Sequence, residues 1–473
     1  MIERITVSGL SADEGDHVNA LLEQLGKHEP GNRRRQDYYE ASRPIQSVSD
    51  IVPPIYKRLG LALGWSAKAV DALARRCHVE GFSWADGDLA SLGIDELVED
   101  NMLLSELSAA RTKAFIHGVS FLVNTTGADD EPRSLIHMKD ALNATGVWNR
   151  RARTLESVLS VTDRDDDDRP VAFALYRDGE TVTARKDGGW SVTDRQEHAY
   201  GMPVEPLVYR PQGRDFGFSR ITRPVRGLQD AAVRALIRME GHMDIYSYPE
   251  LWMLGADLSV FKNADGSTKA PFQVMMGRLK GVPDNDDASV ANPRVDVKQF
   301  AASSPEPHLA QLNALSKMFA RETSLPDSAV AITDFSNPTS ADSYDASQYE
   351  LIAESEGAID DFARPTARSV RRGLAILNET EEPDEWRSIA ATFRNPKFES
   401  RAAQADAGMK QLTAMPWLAD TSVGLELLGL TPDQIKRATA DRRRSNGAAV
   451  LDALRNRAGG EPAPAPVTDD FGG

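Results

Sequence analysis

FAASSPEPHLAQLNALSKMFARETSLPDSAVAITDFSNPTSADSYDASQYELIAESE, residues 300–356, decides how this chain is read. Leu309, Leu312, Leu315 and Phe319 recur every three or four residues behind Pro305 and Pro307. That spacing predicts a helix over 305–321. LPDSAVAITDFSNPT (325–339) follows, with a proline near each end and Val330, Ile332 and Phe335 as apolar residues inside a loop. Asn337-Pro338-Thr339-Ser340 reads as the start of a second helix. Its face continues through Tyr344, Leu351, Ile352, Ile359 and Phe362 to Val370, Leu374 and Leu377. Pro365 should kink it, because proline removes a backbone donor and crowds the preceding turn. The stretch holds no nucleophile–base pair, phosphate loop or metal-ligand set. So much ordered structure around a loop without chemistry points to the loop itself as the working part.

Upstream, 224–247 is the clearest helix of the chain. Pro224 suits the first helical position, Pro249 stops the run, and Val225, Leu228, Ala232, Ala235, Leu236, Met239, Met243 and Tyr246 form one stripe. Arg226, Asp230, Arg234 and Arg238 fall among them. The methionines and Tyr246 read as packing. Between this helix and the next, residues 250–305 are strand-like and loop-rich. WMLGAD, SVFKNADGST, FQVMMGRL and RVDVKQF are the candidate strands, with ADGST as a hairpin signal. This module is too small and interrupted for a core of its own, so it is expected to pack against other copies of itself.

Toward the N-terminus, residues 15–42 predict a helix carrying Leu21, Leu22 and Leu25 and ending in Arg33-Arg34-Arg35 and Tyr38-Tyr39. Val70, Leu73, Ala74 and Cys77 recur at helical spacing, which makes Cys77 a core residue. A further helix over 95–117 runs into the strand GVSFLVNTTG. From about 132 to 210 the period shortens to two: LESVLSVTD, PVAFALYRDG, ETVTARKDGG and WSVTDRQ predict an antiparallel meander. Asp165–Asp168 lie between two of these strands and read as a solvated turn; adjacent acids on a turn rarely converge on one cation. Residues 383–457 read as mostly helical, with FRNPKF as a short extended piece. The Gly/Pro-rich tail GGEPAPAPVTDDFGG predicts disorder.

The chain's 473 residues exceed one ordinary core. Its 41% hydrophobic and 27% charged content is that of a globular protein. No apolar run approaches the ~20 residues that span a bilayer, so no membrane partner is expected. The N-terminus carries acids and no apolar segment, unlike a signal peptide. A single cysteine excludes an internal disulfide framework and fits a reducing compartment. With 55 Lys and Arg against 71 Asp and Glu, the formal charge is −16. A protein that grips DNA through its phosphates should be basic; a wall that lets DNA slide past should not attract it strongly. GxxxxGK[ST], HExxH and GxSxG are all absent, and the eight histidines show no pair at ligand spacing. The sequence therefore names no cofactor, no metal and no catalytic residue, and any ATP hydrolysis must belong to a partner.

FGFSRITRPVRGLQDAAVRALIRME (216–240), FAASSPEPHLAQLNALSKMFARETSLP (300–326) and NPTSADSYDASQYELIAESE (337–356) resemble the portal proteins of tailed double-stranded DNA phages, in the branch common among actinobacterial phages. VDALARRCHVEGF, FRNPKFESRAAQADAGMKQL and WLADTSVGLELLGLTPDQI are similar to the same family, so that the resemblance covers roughly 35–440. It implies an α+β, mainly helical subunit with wing, stem, clip and crown regions that closes into a ring, usually a dodecamer, at one capsid vertex. Mapped onto this chain, 1–215 would be the wing, 216–247 the first stem helix, 248–304 the clip and 305–322 the second stem helix. Residues 323–339 would be the tunnel loop, 340–378 the kinked wing helix, 379–457 the crown helices and 458–473 a disordered tail. The resemblance puts Ile332, Asp334, Phe335 and Asn337 at the tunnel loop facing DNA. It puts Arg226, Arg234 and Arg238 on the stem against DNA or a neighbouring subunit, and Phe272, Val274, Val295 and Val297 in the clip. Its implied partners are other copies of the chain, double-stranded DNA, the large terminase subunit, a head-completion or adaptor protein, and the major capsid and scaffolding proteins. Its place would be the virion, after assembly in the host cytoplasm. A scaffold or minor head protein, or a soluble enzyme with a site built from scattered acids, remain the alternatives.

Overall fold

The computed structural model of the chain describes residues 4–42, 60–152, 154–246, 250–256, 262–263, 265–267, 279–283, 296–300, 303–330, 346–397 and 401–458. Ile332, Asp334, Phe335, Asn337, Phe272, Val274 and Val295 lie outside them, as do the start expected for the second helix and the residues after 458.

The chain divides into two compact units, Met1–Pro396 and Lys397–Gly473. In the first, α1 (Ala12–Glu40) starts at a reciprocal cap: Ser11 Oγ accepts from Glu14 N, and the Glu14 carboxylate accepts from Ser11 N. Its buried stripe Val18, Leu21, Leu22 and Leu25 packs on a six-stranded sheet. That sheet runs β1 (Val7–Ser8), β9 (Gly189–Glu197), β8 (Glu180–Asp187), β7 (Pro170–Arg177), β6 (Thr154–Arg164), β5 (Ala144–Asn149). Strands β5 to β9 form the antiparallel meander, and β1 adds in parallel at the β9 edge. The acidic turn between β6 and β7 is exposed; Asp165 Oδ1 accepts from the amides of Asp167 and Arg169 and so caps the turn.

The meander is shorter than expected. The flanking segments β4 (Ser134–Asp140) and β10 (Val204–Val208) belong instead to a three-stranded sheet on either side of β3 (Val119–Thr126). The first six residues of β3 are all buried. A strand covered on both faces reads as a continuous apolar run; β4 follows it directly in the chain as a hairpin partner, whereas β10 returns to it from beyond the meander.

Helices α2 (Trp65–Arg76), α3 (Ile94–Asp100) and α4 (Leu103–His117) pack with α7 (Tyr349–Leu377) in the main core, through Val70, Leu73, Leu107, Phe115, Phe362 and Leu374. Cys77 is fully buried there, as its helical spacing implied. Helix α7 is unbroken in hydrogen-bonded assignment across Pro365. A two-stranded antiparallel sheet that the sequence did not announce joins β2 (Val79–Trp84) to β14 (Ile389–Phe393). Its second strand starts four residues before the extended piece expected at FRNPKF.

Helices α5 (Arg223–Tyr246) and α6 (Glu306–Glu322) pack side by side. Between their chain ends, β11 (Glu250–Ala256) is the central strand of a small sheet, parallel to β12 (Leu279–Pro283) and antiparallel to β13 (Asp296–Phe300). Val297 stands opposite Met253 in that register. The strand expected over FQVMMGRL falls outside the described residues up to Leu279, where β12 begins. The buried face of α5 keeps Val225, Ala232 and Ala235 of the expected stripe and widens to Val233 and Ile237, which pack against Leu61 and Leu63, while Met243 is exposed. In the second unit, α8 (Arg401–Ala414), α9 (Ser422–Leu427) and α10 (Pro432–Ala458) follow one another as the helical pattern predicts.

Candidate functional site

Residues on both sides of the segment 331–345 are held by one buried guanidinium. Arg220 sits just before α5, is 5% exposed, and donates in four directions. Nε binds the carbonyl of Ala69 in α2 at 2.7 Å, and Nη2 binds the carbonyl of Thr323, at the end of α6, at 2.6 Å. Nη1 pairs with Glu354 in the first turns of α7 and lies 3.5 Å from the hydroxyl of Tyr209. Tyr209 in turn donates to the same Glu354 oxygen. Burial pushes the Glu354 carboxyl up, but Arg220 and the Tyr209 hydroxyl outweigh it and the net shift is downward. Glu354 is therefore an anion and the pair is charged. The backbone of Arg220 is fixed too: its N–H donates to Phe115 O at 2.8 Å, and the Ser219 hydroxyl donates to Ile116 O at 2.5 Å.

Thr323 and Glu354 bracket the loop. On the near side the chain turns through Ser324, whose φ is 52°, and Leu325 returns to the core with its N–H on Ala320 O. Ala329 and Val330 pack on the main core. On the far side Gln348 accepts from Arg76 at 2.6 Å. A four-way guanidinium satisfies several buried carbonyls and one carboxylate at once, which fixes the geometry of all of them. The described residues on either side of 331–345 are thus fixed to a rigid frame shared by α2, α4, α6 and α7.

Arg226, Arg234 and Arg238 of α5 separate into two kinds. Arg226 turns back toward α1: its guanidinium stands 5.9 Å from the Tyr38 ring and donates to Ile221 O, and Tyr38 donates to Asp230 at 2.7 Å. Arg234 is half-buried and Arg238 exposed, and among the described residues neither pairs with a carboxylate. At the far end of the hairpin, His242 and His308 join the two helices, Nδ1 to Nε2, at 3.3 Å.

Among the described residues no cluster of three His, Cys, Asp or Glu side chains could hold a metal ion. Burial pushes the Cys77 thiol up to about 12, which removes it as a nucleophile. Among the described residues no helix is long and apolar enough to cross a membrane. The sequence alone did not single out Arg220 or Glu354. Their signal was a charged residue inside each of two otherwise distinctive segments, FGFSRITRP and YELIAESE.

A mixed α/β body and a two-helix hairpin with a small sheet between its ends, both joined at the hairpin's root by the Arg220 frame, make up the first unit. The model of the family "Phage portal protein, SPP1 Gp6-like" matches residues 28–437, and the chain belongs to that family. Its similarity to the portal protein of Mycobacterium phage L5 is 25% identity over 382 residues, covering 79% of this chain and 77% of that one. For the portal protein of Mycobacterium phage D29 it is 25% over 390 residues, covering 80% and 78%. Among solved structures, the chain is similar to one in the virion of a native gene transfer agent particle (TM-score 0.40, 16% identity, 85% of this chain and 99% of that one). It is also similar to one in the neck of the empty particle (TM-score 0.43, 16% identity, 83% and 96%). A portal protein is a virion component that forms a ring-shaped channel at one capsid vertex, through which the genome is packaged and ejected, and that is the function of this chain.

Proposed function

We propose that about twelve copies close into the ring, with α5 and α6 as its stem, the sheet of β11, β12 and β13 as its clip, and 323–339 as the loop that meets DNA in the bore. Residues 1–215 then serve as the wing, α7 crosses it, and 379–457 form the crown. Ile332, Asp334, Phe335 and Asn337 are the loop residues that touch the duplex. Arg234 and Arg238 face DNA or the adjacent subunit; Arg226 holds the stem to its own wing. Phe272, Val274, Val295 and Val297 complete the clip between neighbours. The assembled clip docks the large terminase subunit during packaging and a head-completion or adaptor protein afterwards. The subunits join the capsid and scaffolding proteins in the host cytoplasm, and the chain itself turns over no ATP.

The observation that carries this reading is the Arg220 frame. A loop that must push on or hold a moving polymer needs anchored ends, and here Thr323 and Glu354 are anchored by the same side chain. Deleting residues 330–336 should leave ring assembly intact in end-on electron micrographs and impair DNA translocation or retention in assembled particles. A deletion that instead unfolds the subunit, read by loss of a cooperative melt, would make the segment part of the core and end its assignment as a tunnel loop.

A further inference from the structure

A cavity of about 470 Å³ lies where α1 crosses β3 and β5, closed on one side by residues 213–217. Three features mark it. First, His117 is 4% exposed and lines the cavity with neither ring nitrogen bonded to anything. A buried imidazole ordinarily has both nitrogens satisfied. Second, Arg35 reaches the same space, and its bonds go to neutral oxygens alone: Asn32 Oδ1 and the carbonyl of His117, each at 2.9 Å. Third, Arg214 stands at the mouth with its guanidinium 4.0 Å from the Phe218 ring and no ion pair among the described residues. The other charges nearby are closed: Arg150 and Asp215 pair through two bonds of 3.2 Å, and Lys113 pairs with Asp140 at 3.2 Å.

Two guanidinium groups without a counter-ion line one hollow, with an unpartnered imidazole buried in its wall, in a chain whose formal charge is −16. Burial and the mutual repulsion of Arg35, Arg226 and Arg214 disfavour the charge on Arg35, so an empty cavity is electrostatically costly. The floor is apolar, with Val119, Phe121 and Phe216.

We propose that this cavity binds a phosphate monoester, with the phosphate held between Arg35 and Arg214, the His117 ring turning from the wall to donate to it, and the organic group resting on Phe216. The donor set favours phosphate over a single carboxylate. A dianion with three free oxygens can accept from two guanidinium forks and an imidazole together, where a carboxylate has two oxygens and one charge. The volume leaves room for more than the bare ion. The inference stands apart from the channel function and from the loop.

Titration calorimetry on the full chain tests it, with phenyl phosphate as the probe, benzoate as the carboxylate control, and ionic strength fixed. The expected result is saturable binding of phenyl phosphate about tenfold or more tighter than benzoate, weakened at least as much by Arg214→Ala. The imidazole protons of His117, assigned by their loss in His117→Gln, should shift on adding phenyl phosphate. Arg214 lies on the surface, so its variant remains informative if replacement of Arg35 or His117 disturbs folding. Absence of saturable binding, equal affinity for benzoate, or unchanged affinity in Arg214→Ala would overturn the proposal.

Discussion

Arg220 and Arg111 are both buried guanidinium groups, and the molecule treats them in opposite ways. Arg220 has a carboxylate, two backbone carbonyls and a phenol around it. Arg111 is 2% exposed, none of its three side-chain nitrogens has a partner, and burial pushes its pKa down to about 10. Removing one partner of a buried pair leaves the other charge stranded, which costs about 3–5 kcal/mol, whereas replacing a poorly compensated buried charge by an apolar group of similar volume is often neutral or stabilising by about 1–4 kcal/mol. Arg220→Met should therefore lower the free energy of unfolding in urea by the first amount and Arg111→Met should leave it unchanged or raise it. A gain in Arg220→Met, or a loss of several kcal/mol in Arg111→Met, would show that the two environments have been misread. Neither residue's role was legible in the sequence. Glu354 lies 134 positions from Arg220, and a single sequence gives no sign of pairing at that range. Cys77 was legible, because its burial follows from the helical spacing of its own neighbours.

At the scale of elements, local order was readable and distant pairing was not. The stripes of α1 and α6 and part of that of α5 follow from residues three or four apart, and four of the five meander strands, β6 to β9, follow from alternation and turn residues between them. The β2–β14 pair joins segments some three hundred residues apart, and β10 and β4 leave the meander to flank β3. No periodicity encodes those choices; they are set by which apolar faces remain uncovered once the helices have packed. The turn from α4 into β3 shows how narrow such a junction is. Gly118 has φ +102°, and a Cβ there would stand 2.7 Å from the carbonyl oxygen of Phe216. Gly118→Ala should cost about 1–3 kcal/mol from backbone strain alone and shift the thermal midpoint down. Gly15, within α1, meets nothing within 4 Å, so Gly15→Ala should be neutral or stabilising by about 0.5–1 kcal/mol. Equal effects of the two substitutions would mean that the α4–β3 junction relaxes and does not fix the segment before α5.

For the whole molecule, the surface of the hairpin is the part that a single subunit leaves unfinished. Leu309 and Met318 on α6 and Met243 on α5 are 40%, 58% and 41% exposed. Arg234 and Arg238 lie on α5 without a carboxylate among the described residues. Isolated apolar side chains are ordinary on a surface, but here they share two packed helices with unmatched cations, as a ring of copies requires if each subunit supplies its neighbour's missing contacts. On the proposed assembly the net charge of −16 fits the same scale: with the α5–α6 faces covered by neighbours, the remaining acidic surface would repel a duplex sliding past it. Met318→Glu separates these demands. On the free subunit it should change unfolding by no more than about 0.5 kcal/mol, because an exposed side chain away from caps and cores contributes little. In the ring it would bury an unpaired carboxylate between stems, and light scattering together with end-on electron micrographs should show assembly lost while the melt of the subunit stays in place. Rings forming as readily as in the parent would remove α6 from the subunit interface, and with it the stem as the wall of the channel.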